Sequence, residues 1–419
     1  MLYRGKPPMG WNSWDCYGDS VNEEQLLANA AALAKLKDCG WQYVVCDIQW
    51  SEPTADGYAY HNFAELCMDE YSRLIPSPER FPSAANGAGF RPIADKIHAM
   101  GLKFGIHIMR GIPRQAVHRN TPLFGTAATA RDVAQQYSIC PWNTDMYGVD
   151  PDREGAQAYY DSLLALYAEW GVDYIKCDDI ANTEFLPHNP YSARRELELL
   201  TNAVEKVDRE IVLSLSPGPA PLAEHEHLAA HATMWRVSGD FWDQWPRLLE
   251  MFGLCRAWAP YVRDGAYPDC DMLPLGTLTL PEGARQTRFT PAEQRTMLSL
   301  WGIFRSPLMI GAELTMADPL TLSLLCNRDV LTMNQTCRNP RELCFDETQS
   351  VWLADGDGCR WAALFNLSDE ARTLTLPDVS DGAEIRECWQ GGTPQAADGR
   401  VALTVGAHDA AVLKIVDKA

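Results

Sequence analysis

No stretch of the chain approaches the 18 or so predominantly apolar residues that a membrane-spanning helix needs. The opening MLYRGKPPMGWNSW lacks the apolar core of a secretory signal, so an unexported, cytoplasmic protein is the expectation. No C-x-x-C pair occurs among the 13 cysteines, and their odd number and scatter point to reduced thiols rather than a disulfide framework. Histidine is scarce, at 9 of 419 residues. Only His225 and His227, at i and i+2 in AEHEHL, suggest a metal pair, and no third ligand accompanies them, so no metal is expected. Basic residues are the minority: 36 Lys and Arg against 56 Asp and Glu leave a net charge of −20. That balance argues against nucleic acid and against anionic membrane surfaces, which both attract basic patches. A neutral ligand such as a sugar is compatible with it.

What is present is a long, apolar and periodic chain. Its 419 residues, 46% hydrophobic, suit a barrel plus a smaller module. The 14 Trp are mostly expected in packing, since sugar stacking needs only one or two. One unit recurs: a helical stretch ends at a Gly and an apolar strand follows. NEEQLLANAAALAKLKDC leads through Gly40 to WQYVVCD, IADKIHAM through Gly101 to LKFGIHI, and AYYDSLLALYAEW through Gly171 to VDYIKCD. Gly takes the left-handed conformation after a helix cheaply, and short, nearly continuous apolar runs fit parallel strands buried on both faces. Further strands are predicted at REIVLSLSPG, TMWRVSGD and SPLMIG, and a capped helix opens at Thr290-Pro291-Ala292-Glu293. The units up to about residue 330 number close to eight, which makes an α/β fold of the (β/α)8 TIM-barrel type. Beyond Asn334 the texture changes to short strand-like segments such as SVWLADGDGCRWAALFNLS, RVALTV and AAVLKIV, separated by Gly, Asp and Asn turns. The expected division is a barrel over 1–333 and a C-terminal antiparallel β-sandwich over 334–419.

Barrel enzymes carry their chemistry at the C-terminal ends of the strands. Those ends supply Trp14, Asp47, His107, Lys176 with Asp178, Ser216, and Arg236 with Asp240; Asp271 follows in PDCDML. Several carboxylates converging with a Lys and an Arg are the inventory of a glycosidase, and a retaining glycosidase needs two carboxyls about 5–5.5 Å apart. In YIKCD, Lys176 and Asp178 share a face at i and i+2, and the ammonium favours the ionised carboxylate that a nucleophile needs. A plain Lys–Asp salt bridge is the alternative. Asp240 leaves the strand of TMWRVSG beside Trp235, Phe241 and Trp242, an apolar wall suited to an acid/base. The alternative there is a cap on a helix starting at Phe241.

PPMGWNSW, the strand ending in Asp47, YIKCD, WRVSGD and PDCDML, in that order, resemble the successive signatures of glycoside hydrolase family 27, the α-galactosidase (melibiase) family. The resemblance covers nearly the whole chain. It implies a retaining exo-glycosidase with Asp178 as nucleophile and Asp240 as acid/base, Trp14 as the sugar-stacking ring, Lys176 and Arg236 as hydroxyl-binding groups, and Asp47 and Asp271 lining the same subsite. The substrate implied is a terminal glycoside or oligosaccharide; no metal or organic cofactor is implied, and a homo-oligomer is compatible with it.

Two departures bear on specificity. The family's α-galactosidases carry two adjacent Asp after the second strand; here the pair is Asp47-Ile48. An Ile removes an acceptor for the 6-hydroxyl, and β-L-arabinopyranose is α-D-galactopyranose without its C6 hydroxymethyl group. The resemblance therefore leans to the β-L-arabinopyranosidase branch, with α-galactosidase as the alternative and Ile48 as mere strand packing. Ser216 stands near where the galactosidases carry a Glu after the fifth strand, which resembles the α-N-acetylgalactosaminidase branch. His107 and MRGIPRQAVHRNTP also depart from the usual pattern. A non-catalytic sugar-binding protein or a metal-dependent barrel enzyme is the rival class; the presence of both Asp178 and Asp240 argues against the first, and the shortage of His at strand ends against the second.

Overall fold

A computed structural model describes residues 1–417, so the last two positions of the expected 334–419 module lie outside the described residues. Among the described residues, eight parallel strands form one sheet: β1 (Met9–Asn12), β2 (Tyr43–Cys46), β3 (Lys103–Met109), β4 (Val172–Asp178), β5 (Val212–Leu215), β6 (Met234–Arg236), β7 (Tyr267–Asp269) and β8 (Leu308–Ile310). Neighbours in sequence are neighbours in space, and β8 pairs with β1. The two edges meet just past β7. There Leu273 N–H donates to Met309 O at 2.7 Å, and Gly311 N–H donates to Leu273 O at 3.0 Å.

The recurring unit of the sequence explains this closure. Each strand is followed by a helix: α1 (Glu23–Ala34), α2 (Arg91–Ala99), α3 (Ala156–Glu169), α4 (Arg194–Lys206), α5 (His225–His231), α6 (Trp245–Trp258), α7 (Pro291–Phe304), and after β8 the pair α8 (Pro319–Leu325) and α9 (Arg328–Thr336). Gly40, Gly101 and Gly171 take φ of 104°, 80° and 89°, the left-handed region that lets a helix end and a strand begin at once. At α7 the Thr290 side chain accepts from Glu293 N–H at 3.2 Å and Glu293 accepts from Thr290 N–H at 2.8 Å, the reciprocal cap that the sequence predicts.

Large side chains fill the barrel interior: Tyr43, Val45, Tyr174, Val212, Met234, Tyr267, Met272 and Met309. Gly105 makes room for them, since a Cβ there would lie 2.8 Å from that of Tyr174 and 2.9 Å from Val45. Between β3 and α3 stands an insertion that the sequence pattern does not announce, a three-stranded antiparallel sheet of Ile112–Pro113, Ala134–Ile139 and Met146–Val149. Its strands are too short and too polar to alternate legibly.

The C-terminal module begins at Arg338, one residue past Cys337, so the expected division at 333/334 falls inside α9. One antiparallel sheet has the order β9 (Arg338–Asp346), β10 (Gln349–Gly356), β11 (Cys359–Asn366), β15 (Ala410–Val416), β13 (Glu384–Glu387). The other pairs β12 (Arg372–Pro377) with β14 (Arg400–Val405). Leu374, Leu376, Val401 and Val405 pack against Leu364, Leu413 and Ile415 between the sheets. The opposite face of the larger sheet joins the barrel's own core through Trp352, Trp361, Phe365 and Val412. Polar ties reinforce the contact: Arg295 on α7 makes two bonds to Asp409, at 2.9 and 2.6 Å, and His408 stacks on Trp245 at 4.0 Å.

Because one apolar core spans both modules, they should unfold together. Phe365 is fully buried, with its ring 5.0 Å from that of Phe252 on α6. Phe365→Ala should cost about 3–5 kcal/mol and lower a single calorimetric transition. Two resolved transitions with only one displaced would contradict a shared core.

Candidate active site

At the C-terminal mouth of the barrel lies a cavity of about 440 Å3 lined by residues from six strand ends and from the loops above them. Trp14 follows β1, Asp47 follows β2, Lys176 and Asp178 end β4, Pro217 follows β5, Arg236 and Asp240 follow β6, and Asp271 and Met272 follow β7. Asp15, Tyr58, Tyr60, Trp142, Phe241 and Trp242 complete the wall.

The polar groups are tied to one another. Lys176 Nζ donates to Asp47 Oδ2 at 2.9 Å, and Asn12 Nδ2 donates to the same oxygen at 2.6 Å. His107 faces Lys176 across the β3–β4 register, and its Nε2 lies 3.2 Å from Asp178 Oδ2. The other oxygen of Asp178 accepts from Asp179 N–H at 2.9 Å. Arg236 holds Asp240 Oδ1 at 3.1 Å and Asp271 Oδ2 at 2.9 Å. Asp271 also accepts from Phe241 N–H at 2.8 Å, and its backbone carbonyl accepts from Trp301 Nε1, on α7, at 3.1 Å.

These contacts set the charges. Burial alone would raise the Asp178 pKa, but the His107 hydrogen bond, the His107 and Lys176 charges and the Asp179 amide outweigh it and hold the carboxyl well below the usual range. Asp47 is likewise held down against burial, first by Lys176 and His107. Asp15 behaves oppositely: buried, close to Asp271, with Oδ2 lacking a hydrogen-bond partner, it is pushed well above the ordinary carboxylate value. Asp269, beneath the cavity floor, is pushed up to about 7 by burial and by neighbouring Asp271.

Seven of the ten residues singled out from the sequence line this cavity; His107, Ile48 and Ser216 do not. Instead of facing the ligand space, His107 is buried behind Asp178 and acts on that carboxylate. Ile48 is 2% exposed, in an apolar cluster with Met109, Cys140 and Met146. Ser216 is buried beneath the floor beside Lys176, Arg236 and Asp269, and the wall at that point is Pro217. Lys176 bonds Asp47, so its effect on Asp178 is through space rather than the direct bridge considered from the sequence. Trp235 is fully buried against Trp258 and contributes nothing to the wall near Asp240. Asp240 caps no helix, since α6 begins at Trp245 with Gln244 before it. Asp179 turns away to Arg110, at 2.8 Å, as the alternation of the strand requires. His225 stacks on Tyr261, while His227 contacts Tyr191 at 2.9 Å and Glu198 at 3.1 Å. All 13 cysteines are free thiols, and among the described residues no helix is long and apolar enough to cross a membrane.

Asp15, Tyr58, Tyr60 and Trp142 escape the sequence reading. Asp15 directly follows Trp14, and Tyr58 and Tyr60 stand at i and i+2 in DGYAYH, a pairing that could have flagged them. Trp142 comes from the unforeseen insertion.

A closed ring of parallel strands with several carboxylates, a half-buried Lys and aromatic walls at its mouth is the machinery of a barrel glycoside hydrolase. Comparison with known proteins makes the class specific. A family model described as alpha galactosidase A matches residues 151–336. A β-L-arabinopyranosidase of Geobacillus stearothermophilus superposes with a TM-score of 0.95 at 48% identity, over 98% of this chain and 96% of that one. A Bacillus halodurans protein whose name proposes an α-N-acetylgalactosaminidase superposes with a TM-score of 0.89 at 46% identity, over the full length of both. Alpha-galactosidase 3 of Arabidopsis thaliana is 27% identical over 96% of this chain and 80% of its own. The chain belongs to glycoside hydrolase family 27, the α-galactosidase (melibiase) family, and is an enzyme of that family.

The raised Asp269 pKa carries a consequence for stability. Folded Asp269 keeps its proton up to about pH 7, while the unfolded carboxyl, at its ordinary value of 3.8, has released it. The native state therefore binds the extra proton, and this group lowers stability progressively as pH rises from 3.8 to about 7. Asp269→Asn keeps an acceptor for Asp271 N–H, now at 3.0 Å, and removes the titration. It should raise Tm at pH 8 and leave Tm at pH 4 nearly unchanged; an equal shift at both would show that Asp269 is already ionised in the fold.

Proposed function

We propose that the enzyme is a retaining exo-glycosidase that removes a terminal β-L-arabinopyranosyl residue by double displacement. The observation that carries the mechanism is a carboxylate, Asp178, kept ionised by His107, Lys176 and a backbone amide, in the same pocket as a second carboxyl, Asp240, that is 65% exposed and held by Arg236. In the first step an Asp178 oxygen attacks the anomeric carbon. The bond to the leaving oxygen breaks, and Asp240 gives that oxygen its proton. In the second step the Asp240 carboxylate takes a proton from water, the water oxygen bonds to the anomeric carbon, and the Asp178 ester bond breaks. Trp14 offers a stacking face to the ring; Lys176, Asp47, Arg236 and Asp271 offer charged partners to its hydroxyls. His107 acts through Asp178, presenting Nε2–H to Oδ2 while the Asp179 amide holds Oδ1, so that both oxygens of the nucleophile are oriented.

The lean to arabinopyranoside rests on the wall next to Asp47. Ile48, clustered with Met109, Cys140 and Met146 against which Trp14 and Tyr60 pack, puts no carboxylate next to Asp47 for a 6-hydroxyl, and burying that hydroxyl unpaired would cost on the order of 1–3 kcal/mol. The 48% identity to the Geobacillus β-L-arabinopyranosidase supports the same reading. The second reading is α-galactosidase, favoured by the likeness to the curated α-galactosidases and by the fact that the polar partners above treat both sugars alike.

Wild-type kcat/KM should favour p-nitrophenyl β-L-arabinopyranoside over the α-D-galactopyranoside by about 10–100-fold, with the α-N-acetylgalactosaminide slowest. A preference for the galactoside makes the enzyme an α-galactosidase. Asp178→Asn should nearly abolish turnover of either sugar. Asp240→Asn should harm substrates with poor leaving groups most, and azide should partly restore turnover of the good ones. Proton NMR of the first-formed product should show retained anomeric configuration; inversion would remove Asp178 from the nucleophile role.

A further inference from the structure

Beside the cavity that holds Asp178 lies a second one, of about 490 Å3. The two share Asp240, Trp14, Tyr58 and Trp242, whereas Asp178 lines only the first. The sugar ring that Asp178 attacks therefore occupies the first cavity, and the leaving oxygen that Asp240 protonates lies at the junction. Whatever that oxygen carries enters the second cavity. Its outer wall comes from one loop, between β7 and α7, through Thr279, Glu282, Arg285 and Arg288. The loop holds a short hairpin, with Leu278 opposite Arg285 and Thr277 opposite Gln286. Asp243, whose side chain is fully buried, fastens it by accepting from the Arg285 guanidinium at 2.5 and 3.0 Å and from Arg288 N–H at 2.6 Å. Thr279 takes a φ of 55°, which a β-branched residue keeps only when its surroundings hold it, and its N–H donates to Asp15 O at 3.0 Å. The segment from Asp240 to Asp243 thus carries the acid/base, the Trp242 ring and the anchor of the loop.

The lining combines an aromatic face with one uncommitted group of each charge. Trp242 is half-buried, and Tyr58 meets it edge to face, with centroids 6.4 Å apart and planes at 66°. Arg285 is committed to Asp243. Arg288 is not: the nearest carboxylate oxygen lies 3.9 Å away on that same Asp243, and the Arg288 side chain is 60% exposed. Glu282 is exposed and makes no ion pair among the described residues. A neutral sugar suits this set, because its hydroxyls accept from a guanidinium and donate to a carboxylate while its C–H face stacks on an indole. A charged group would be repelled by one of the two side chains, and an apolar group would leave both without a partner. We propose that the second cavity is a subsite for a neutral pyranose, with Trp242 as its platform and Glu282 and Arg288 as its hydroxyl partners. The substrate is then an oligosaccharide or a glycan side chain rather than an alkyl or aryl glycoside. The proposal rests on the reading of Asp240 as acid/base, and it is independent of which glycone fills the first cavity.

The test uses the full chain and one glycone, whichever of arabinopyranose and galactose its p-nitrophenyl glycoside shows to react faster. Two kinds of substrate carry that glycone: the methyl glycoside, and the (1→3)- and (1→6)-linked disaccharides with D-galactopyranose, of which the faster is taken. The readout is the ratio of kcat/KM for the disaccharide to that for the methyl glycoside, compared between wild type and the double variant Glu282→Ala, Arg288→Ala. Binding energy from the leaving sugar is lost only where that sugar is present, so the double variant should lower the ratio about 10-fold or more and leave the methyl glycoside within about twofold of wild type. A ratio that stays within about twofold of wild type overturns the proposal, whether both substrates slow together or neither does. Both substituted side chains are exposed, and unchanged thermal melts will show that the fold is intact. Failure of the acid/base reading appears elsewhere, as an Asp240→Asn variant that spares poor leaving groups, and failure of the arabinopyranoside reading appears in the p-nitrophenyl pair alone.

Discussion

Five carboxyl groups, Asp15, Asp47, Asp178, Asp240 and Asp271, share the mouth of the barrel with two permanent cations, Lys176 and Arg236. Repulsion at short range in a partly dry cavity forbids all five from ionising together, so position decides which carry charge. Lys176 is committed to Asp47 and Arg236 to Asp240 and Asp271. Asp178 receives its stabilisation from His107 and an amide, with Lys176 acting at a distance. Asp15, buried and without a cation of its own, is pushed well above the ordinary carboxylate range. The contrast between Asp178, held below the ordinary carboxylate range, and Asp15, pushed above it, follows from burial and from where the positive charge is placed.

The strand sequence of the barrel serves that arrangement. Along β4 the alternation sends Lys176 and Asp178 to the mouth and Cys177 outward, and the turn at Asp179 sends its carboxylate to Arg110. Arg110 also bonds Glu196 on α4 at 3.0 Å and, through Nε, the Asp179 carbonyl at 2.5 Å. A buried guanidinium thus fixes the backbone that follows Asp178. The barrel interior, by contrast, is filled with aromatic and Met side chains such as Tyr43, Tyr174, Tyr267, Met234 and Met309.

How much of this was legible depended on periodicity. The helix–Gly–strand units at Gly40, Gly101 and Gly171, the cap at Thr290 and the strand ends bearing Asp47, Asp178 and Asp240 could be read because buried parallel strands and capped helices leave local signals. Tyr267–Asp269 is a three-residue strand whose neighbours are Gly, Ala, Cys and Asp, too short to show a period. The Ala134–Ile139 insertion strand is mostly polar, so Trp142 could not be placed. His107 was visible as a strand-end residue, but whether it faced the ligand or Asp178 depends on the register between β3 and β4, which is a tertiary fact. Ser216 was read as a pocket residue from its strand end and Ile48 from the family's pair of Asp after the second strand; both are buried, outside the lining of the cavity.

Helix α7 touches both modules, with Trp301 bonded to the Asp271 carbonyl on one side and Arg295 paired with Asp409 on the other. The β-sandwich is therefore a buttress, not an appendage, since the helix it braces also positions a carboxylate of the active site. Grafting this barrel onto a different C-terminal module, or recombining it with a relative at the obvious seam before Arg338, would import a mismatched surface against α7. Chimeras that keep α7 and the sandwich from the same parent preserve that geometry, so the natural crossover point lies upstream of Thr290 rather than at the visible boundary between folds.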